Sequence, residues 1–197
     1  KQSEAKERFI APNLKSDYLT EASGLISPSF KHEENDFDDF ATEILLPHRN
    51  SMHGPGLAVG DVNGDGLDDF FVGGAMNQSG RLYTQNKSGK FIMSNNQPWE
   101  FQKDHEDMGA LFFDFDNDDD LDLYVVSGGN EYPDQSELLQ DRIYVNNGSG
   151  KFKLDKSLLP AMNTSGKVVK AADYDKDGDL DLFVGGRLVP GKYPFSP

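Results

Sequence analysis

The feature that most limits how this chain can fold is a nine-residue aspartate-rich stretch that occurs three times, at Asp61–Asp69, Asp114–Asp122 and Asp173–Asp181. The surroundings of each copy repeat as well. G-L-A-V-G-D-V-N-G-D-G-L-D-D-F-F-V-G-G (Gly56–Gly74) aligns with G-A-L-F-F-D-F-D-N-D-D-D-L-D-L-Y-V-V-S-G-G (Gly109–Gly129) and with V-V-K-A-A-D-Y-D-K-D-G-D-L-D-L-F-V-G-G (Val168–Gly186). The loops start 53 and then 59 residues apart. A second block, R-L-Y-T-Q-N-K-S-G-K-F (Arg81–Phe91) and R-I-Y-V-N-N-G-S-G-K-F (Arg142–Phe152), follows the first two loops in the same order. The repeat unit is therefore larger than the loop, and it governs every element assigned inside it.

Apolar runs within a unit are short, β-branched or aromatic, and bounded by Gly, Asn and Asp, which is the pattern of strands. In the first unit the expected strands are Leu57–Val59, Phe70–Val72, Arg81–Thr84 and Phe91–Met93. The turns Asn86–Gly89 and Asn147–Gly150 suit the positive φ of a hairpin. Ala110–Phe113 is apolar throughout, as an inner strand covered on both faces would be. The expected fold class is all-β, built from β-propeller-type four-stranded blades. Blades are expected over residues 51–94, 105–156 and 165–197, the last incomplete. About two and a half blades fall short of the roughly four to eight of a closed propeller, so the chain reads as a fragment of a larger propeller or closes with chain not shown. Residues 1–50 read as a lead-in with an edge strand near Phe30 and an acidic stretch at Glu33–Asp39, and the insertion Asn130–Gln140 reads as a surface loop.

The loops carry the chemistry. In the first, Asp61, Asn63, Asp65 and Asp69 offer side-chain oxygens at positions 1, 3, 5 and 9, with the carbonyl of Leu67 at position 7. The second offers Asp114, Asp116, Asp118, the carbonyl of Asp120, and Asp122; the third offers Asp173, Asp175, Asp177, the carbonyl of Asp179, and Asp181. Alternate oxygens wrap one small sphere if the loop turns sharply at position 6, which is how a hard cation is held by oxygen alone. Position 6 is Gly66, Asp119 or Gly178; aspartate accepts positive φ less readily than glycine. Two carboxylates about 4 Å apart repel by roughly 4 kcal/mol at an effective dielectric of 20, so three or four in one short turn call for a cation. Ca²⁺ tolerates irregular coordination by six to eight oxygens better than Mg²⁺ does, and zinc would want His or Cys. Up to three Ca²⁺ are expected. An EF-hand needs Glu at position 12, where this chain has Val72, Val125 and Val184.

Charge and composition narrow the partners. The net charge of −15 argues against nucleic acid or an anionic membrane, and 15 of the 34 acidic residues lie in the three loops, so the charge is gathered where a cation can meet it. Cysteine is absent, which removes disulfides and thiolate sites. No apolar run is long enough to span a bilayer. The sequence starts Lys-Gln-Ser-Glu without an initiator Met, as an excerpt or a mature product would.

On the three D-x-[DN]-x-D-x-x-x-D loops, the V-G-G or S-G-G ends and the two Tyr…S-G-K-F blocks, residues 51–197 resemble the FG-GAP/VCBS repeat proteins, whose blades build integrin α-like propellers. More narrowly, H-E-E-N-D-F-D-D-F, L-L-P-H-R and G-G-R-L-V-P-G-K-Y-P are similar to bacterial envelope members associated with ASPIC/UnbV segments. The resemblance implies calcium that stiffens the blades, and ligands bound at a propeller face. The expected function is a non-catalytic, extracytoplasmic adhesion or ligand-binding module, secreted or on the cell envelope, whose protein or glycan ligand the sequence does not name. The alternative is a polysaccharide lyase or hydrolase using His48, His53, His105 and Glu106, with Trp99 as a sugar-stacking platform. A third reading is a structural spacer with calcium and no ligand.

Overall fold

The computed structural model describes residues 21–195, so the first twenty residues of the expected lead-in lie outside the described residues. From Leu57 onward every sheet is a meander of neighbouring strands. The first joins β2 (Leu57–Gly60), β3 (Asp69–Val72), β4 (Arg81–Gln85) and β5 (Phe91–Ser94), and the second joins β6 (Asp107–Phe113), β7 (Asp122–Ser127), β8 (Arg142–Val145) and β9 (Lys153–Asp155). The third is the antiparallel pair β10 (Ser165–Ala172) and β11 (Asp181–Leu188). Successive strands pair antiparallel throughout. These are the blades of a partial β-propeller.

The second blade shows why the sheets stack. Side chains of a strand alternate between its two faces. Phe112, Leu123, Val125 and Tyr144 face a cluster shared with Ala58, Phe71 and Leu82 of the first blade. Their chain neighbours Phe113, Tyr124, Val126 and Ile143 face a second cluster with Val169 of the third. All six residues of β7 are buried. The outer faces of the first and third blades lack such a cover, and leave Leu57 60 % and Phe183 67 % exposed.

Inner strands crowd at the propeller axis, where glycine is required. A β-carbon at Gly56 would stand 2.6 Å from the carbonyl carbon of Gly109, and one at Gly109 would stand 2.8 Å from the Lys167 carbonyl oxygen. Beside them Asp107 binds the first two blades together. Its Oδ2 accepts the Gly74 N–H at 2.9 Å and its Oδ1 meets Arg142 Nη2 at 2.5 Å, with Asp107 and Arg142 both buried. A buried pair of this kind is costly to break because the survivor is left as an uncompensated charge.

Three segments depart from the sequence expectation. The lead-in strand is β1 (Ile26–Ser27), parallel to the outer edge of β5 at Phe91–Ile92. Phe30 lies outside it, under the Arg81 guanidinium at 5.4 Å, and a single helical turn, α1 (Asp39–Thr42), follows with Asp38 as its N-cap. The insertion is not a surface loop throughout: Tyr132 is 5 % and Leu139 0 % exposed. Trp99 is no platform for sugars. It is 2 % exposed and wedged between blades, its ring centroid 5.1 Å from that of Phe71 and 5.4 Å from those of Tyr144 and Phe152. Filling a gap between sheets repays a large aromatic surface more than exposing it does.

Because Trp99 meets both sheets, Trp99→Ala is expected to destabilise the chain by about 3–5 kcal/mol. Phe101→Ala, two residues on and 83 % exposed, is expected to change stability by less than about 0.5 kcal/mol. Urea unfolding of the two variants beside the parent measures both.

Candidate metal centre

Each aspartate loop joins an inner strand to the second strand of its blade: β2 to β3, β6 to β7 and β10 to β11. The three loops share a hydrogen-bond plan in which side-chain carboxylates hold the turn's own N–H groups. The position 5 carboxylate accepts the N–H of position 7 in all three: Asp65 from Leu67 at 2.9 Å, Asp118 from Asp120 at 3.1 Å, Asp177 from Asp179 at 3.2 Å. Position 1 accepts from positions 5 and 6 in the first two loops, by Asp61 from Asp65 and Gly66 and by Asp114 from Asp118 and Asp119. Such turns close on themselves and leave the remaining lone pairs facing inward.

Two positions in each loop take the left-handed conformation. At position 6, Gly66, Asp119 and Gly178 have φ of 82°, 68° and 105°. Position 4 does the same with Gly64, Asn117 and Lys176, at 71°, 60° and 66°. The sequence reading anticipated position 6 and missed position 4, because Lys176 carries no signal for that conformation.

Position 9 has a role that the ligand pattern did not reveal. Asp69 and Asp122 are fully buried. One oxygen accepts the N–H of position 2, Val62 at 3.2 Å or Phe115 at 2.9 Å. The other reaches across to the end of the third strand and accepts Gln85 N–H or Asn146 N–H, each at 2.8 Å. Gln85 and Asn146 occupy the same place in the second shared block, which is the signal that could have found them. Asn146 goes further, donating its amide to the Val62 carbonyl at 2.8 Å and to the Leu121 carbonyl at 3.0 Å, and so joins the loop of the first blade to that of the second.

Charge is compressed most in the second loop. Burial, then Asp118 and Asp122, push the Asp120 carboxyl up to about 6. Asp69 and Asp122 are also raised, by burial first. Asp61 goes the other way: burial raises it, but N–H groups led by that of Gly66 outweigh burial and hold it low. Asp114, Asp116 and Asp122 bring one oxygen each within 4.8 Å of one another, as do Asp173, Asp175 and Asp177. Either group could hold a metal ion. The first loop has no such triad among the described residues; Asn63 stands at position 3, its amide turned to Asp69 Oδ2 at 3.3 Å. The third loop is exposed along its whole length, Asp181 included.

The other singled-out residues lie at the far end of the strands. His48 and His53 meet edge to face with ring centroids 5.7 Å apart, and Arg187 Nη2 reaches both, at 3.3 Å and 2.8 Å. Burial and then the Arg187 charge lower the His53 pKa. His48 and Arg187 line a cleft of about 340 Å³ with Glu43, Asn130, Tyr193 and Phe195. His105 is apart from them, with Nδ1 2.9 Å from the Leu138 carbonyl, and burial takes its pKa down to about 4. The structure thus brings His48 and His53 together and leaves His105 and Trp99 elsewhere.

No helix among the described residues is long and apolar enough to cross a membrane. No curated protein sequence matches the chain. A protein-family profile described as FG-GAP-like repeat matches residues 61–125 and again 126–184. The first match runs from the first aspartate loop through the second, and the second match contains the third, so each repeat straddles two blades. With its three loops inside those two matches, which cover more than half of its length, the chain belongs to the FG-GAP-like repeat family.

Proposed function

We propose that the chain is a calcium-binding, extracytoplasmic β-propeller module that captures a protein or glycan ligand, with calcium serving mainly to hold the blades. The observation that carries this reading is the common plan of the three loops: carboxylates fold each turn around themselves and converge at Asp114, Asp116 and Asp122 and at Asp173, Asp175 and Asp177. Convergent carboxylates repel unless a cation lies between them, and oxygen donors on an irregular turn suit Ca²⁺. The resemblance of residues 32–49 and 185–194 to envelope proteins supports a setting outside the cytoplasm.

Calcium here is placed for structure. The loops sit at one end of the strands; the cleft with His48 and Arg187 sits at the other. Polar groups set in an apolar wall, with Asn130, Arg187 and Tyr193 beside Pro47, Val189 and Phe195, fit a ligand that is part sugar or peptide and part acid. A panel of immobilised glycans and peptides, probed with and without EDTA, tests the reading. Expected is binding to a subset that is lost on chelation and weakened at least tenfold in Arg187→Ala; binding insensitive to both would overturn it.

Stability separates the two kinds of loop aspartate. Asp122→Ala is expected to cost about 2–5 kcal/mol with or without Ca²⁺, since it leaves the Phe115 and Asn146 N–H groups unpaired. Asp116→Ala, which removes an exposed member of the triad, is expected to act mainly through the ion, removing the gain of about 2.7 kcal/mol that one site gives at a hundred times its Kd. Thermal melts in EDTA and in Ca²⁺ read both. In the same assay Asp119→Gly, at φ 68°, is expected to stabilise the calcium-free chain by about 1 kcal/mol, because glycine takes this conformation without the Cβ cost.

A further inference from the structure

At the opposite end of the strands from the aspartate loops, three glutamates arrive from three separate segments: Glu34 from the lead-in, Glu106 just before β6, and Glu131 from the insertion. Glu106 is 0 % exposed, and neither of its oxygens has a hydrogen-bond donor among the described residues. Glu131 Oε1 and Glu34 Oε2 are likewise buried without a partner. The Oε2 atoms of Glu106 and Glu131 lie side by side against Gly129, 2.7 Å and 2.5 Å from where a β-carbon there would stand. His32 is joined to the group through Glu34, with Nε2 2.8 Å from Glu34 Oε1. A ring nitrogen facing a carboxylate at that distance is the donor, so the neutral ring carries its lone pair on Nδ1, and Nδ1 too is buried without a partner.

Among the described residues, five of the seven buried side-chain atoms that lack a partner are these: His32 Nδ1, Glu34 Oε2, both oxygens of Glu106, and Glu131 Oε1. All five are acceptors. The positive groups nearby are turned to other acceptors, Arg142 Nη2 to Asp107 and Lys167 Nζ to the carbonyl of His53; of the two remaining atoms one is the buried Arg142 Nε, a single donor. The other acids that face the group are satisfied, Asp107 by Arg142 and Gly74, and Asp39 by Ser51 and Asn130. Burial first, and then Glu131 and Glu34, drive the Glu106 carboxyl far above the usual carboxylate range. A single shared proton would satisfy one acceptor of the five. A cation would satisfy several at once, and an acceptor-only lining is the complement of a cation.

We infer that Glu106, Glu131 and Glu34, with His32 behind them, form a second kind of cation site in this chain, one that takes a divalent cation such as Ca²⁺ or Mn²⁺. The three carboxylates do not bring one oxygen each within 4.8 Å of one another as the loop triads do, so a bound ion would draw them together. Carboxylate oxygens suit Ca²⁺ and Mn²⁺ alike. A bound ion would tie the lead-in and the insertion to the start of the second blade, at the end of the strands that the loops do not reach. The inference does not depend on the loops' binding calcium.

Equilibrium dialysis against Ca²⁺ or Mn²⁺, with metal counted per chain, tests it on the full chain, on Glu106→Gln and Glu131→Gln, and on Asp114→Asn as the loop control. Expected is one ion fewer per chain in each glutamate variant, independent of any loss in Asp114→Asn, so failure of the loop sites and failure of this one read differently. In EDTA, Glu106→Gln is expected to melt at least about 2 °C above the parent, because the amide carries no charge that burial must neutralise. An unchanged ion count in both glutamate variants would overturn the inference and leave a proton shared between Glu106 and Glu131.

Discussion

The carboxylate at the ninth position of the first two loops is the contact on which their blades depend. Asp122 takes one N–H from its own loop and one from the end of β8, so a single buried side chain fixes how the inner strand, the loop and the third strand meet. Asp69 does the same in the first blade with Val62 and Gln85. A residue that is 0 % exposed and still charged must be held by donors on several sides. This explains why the loop can carry so many acids at all. The buried member sets the frame, and the exposed ones crowd inside it with lone pairs turned to a common centre.

The frame also sets how one blade finds the next. Asn146 uses its N–H for Asp122, inside its own blade, and its side-chain amide for the Val62 carbonyl in the blade before. On the other side of that contact Gln97, 1 % exposed, donates to the Gly150 carbonyl at 2.7 Å and accepts the Phe152 N–H at 3.3 Å. Between these two polar ties lies Trp99 with Phe71, Tyr144 and Phe152. Apolar area supplies most of the energy between blades; the directional bonds set the register in which that area is buried.

Much of this was legible in the sequence, and the exceptions have a common cause. The four strands expected in the first unit fall within one residue at either end of those observed, because alternation and flanking Gly and Asn are local signals. Positive φ at Asp119 was legible for the same reason. What was not legible depends on partners far away in the chain. Phe30 looked like an edge-strand residue, yet β1 forms at Ile26–Ser27, where β5 offers a free edge. Tyr132 sat in a polar insertion that reads as a loop, but its hydroxyl donates to the Asp104 carbonyl and its ring is buried. Trp99 carried the chemistry of a sugar platform and the geometry of a wedge. Glu106 stood out in the sequence only as a candidate catalytic acid, and only the fold reveals that it has no partner among the described residues.

Negative charge is therefore spent in two ways at the two ends of the strands. At the loop end, carboxylates are mostly exposed and several, among them Asp61, Asp65, Asp114 and Asp118, are braced by N–H groups of their own turn, so the cost of leaving the site without an ion is softened by solvent. At the other end, Glu106 has neither solvent nor a donor, and its neighbours Glu34 and Glu131 are acids. A fold that carries −15 overall gains little by burying another acid against two more. The burial persists because Glu106 immediately precedes Asp107, whose backbone and side chain join the first blade to the second through Gly56, Gly74 and Arg142. With Asp107 fixed at the axis, Glu106 has no route to solvent. Its charge must be met where it stands.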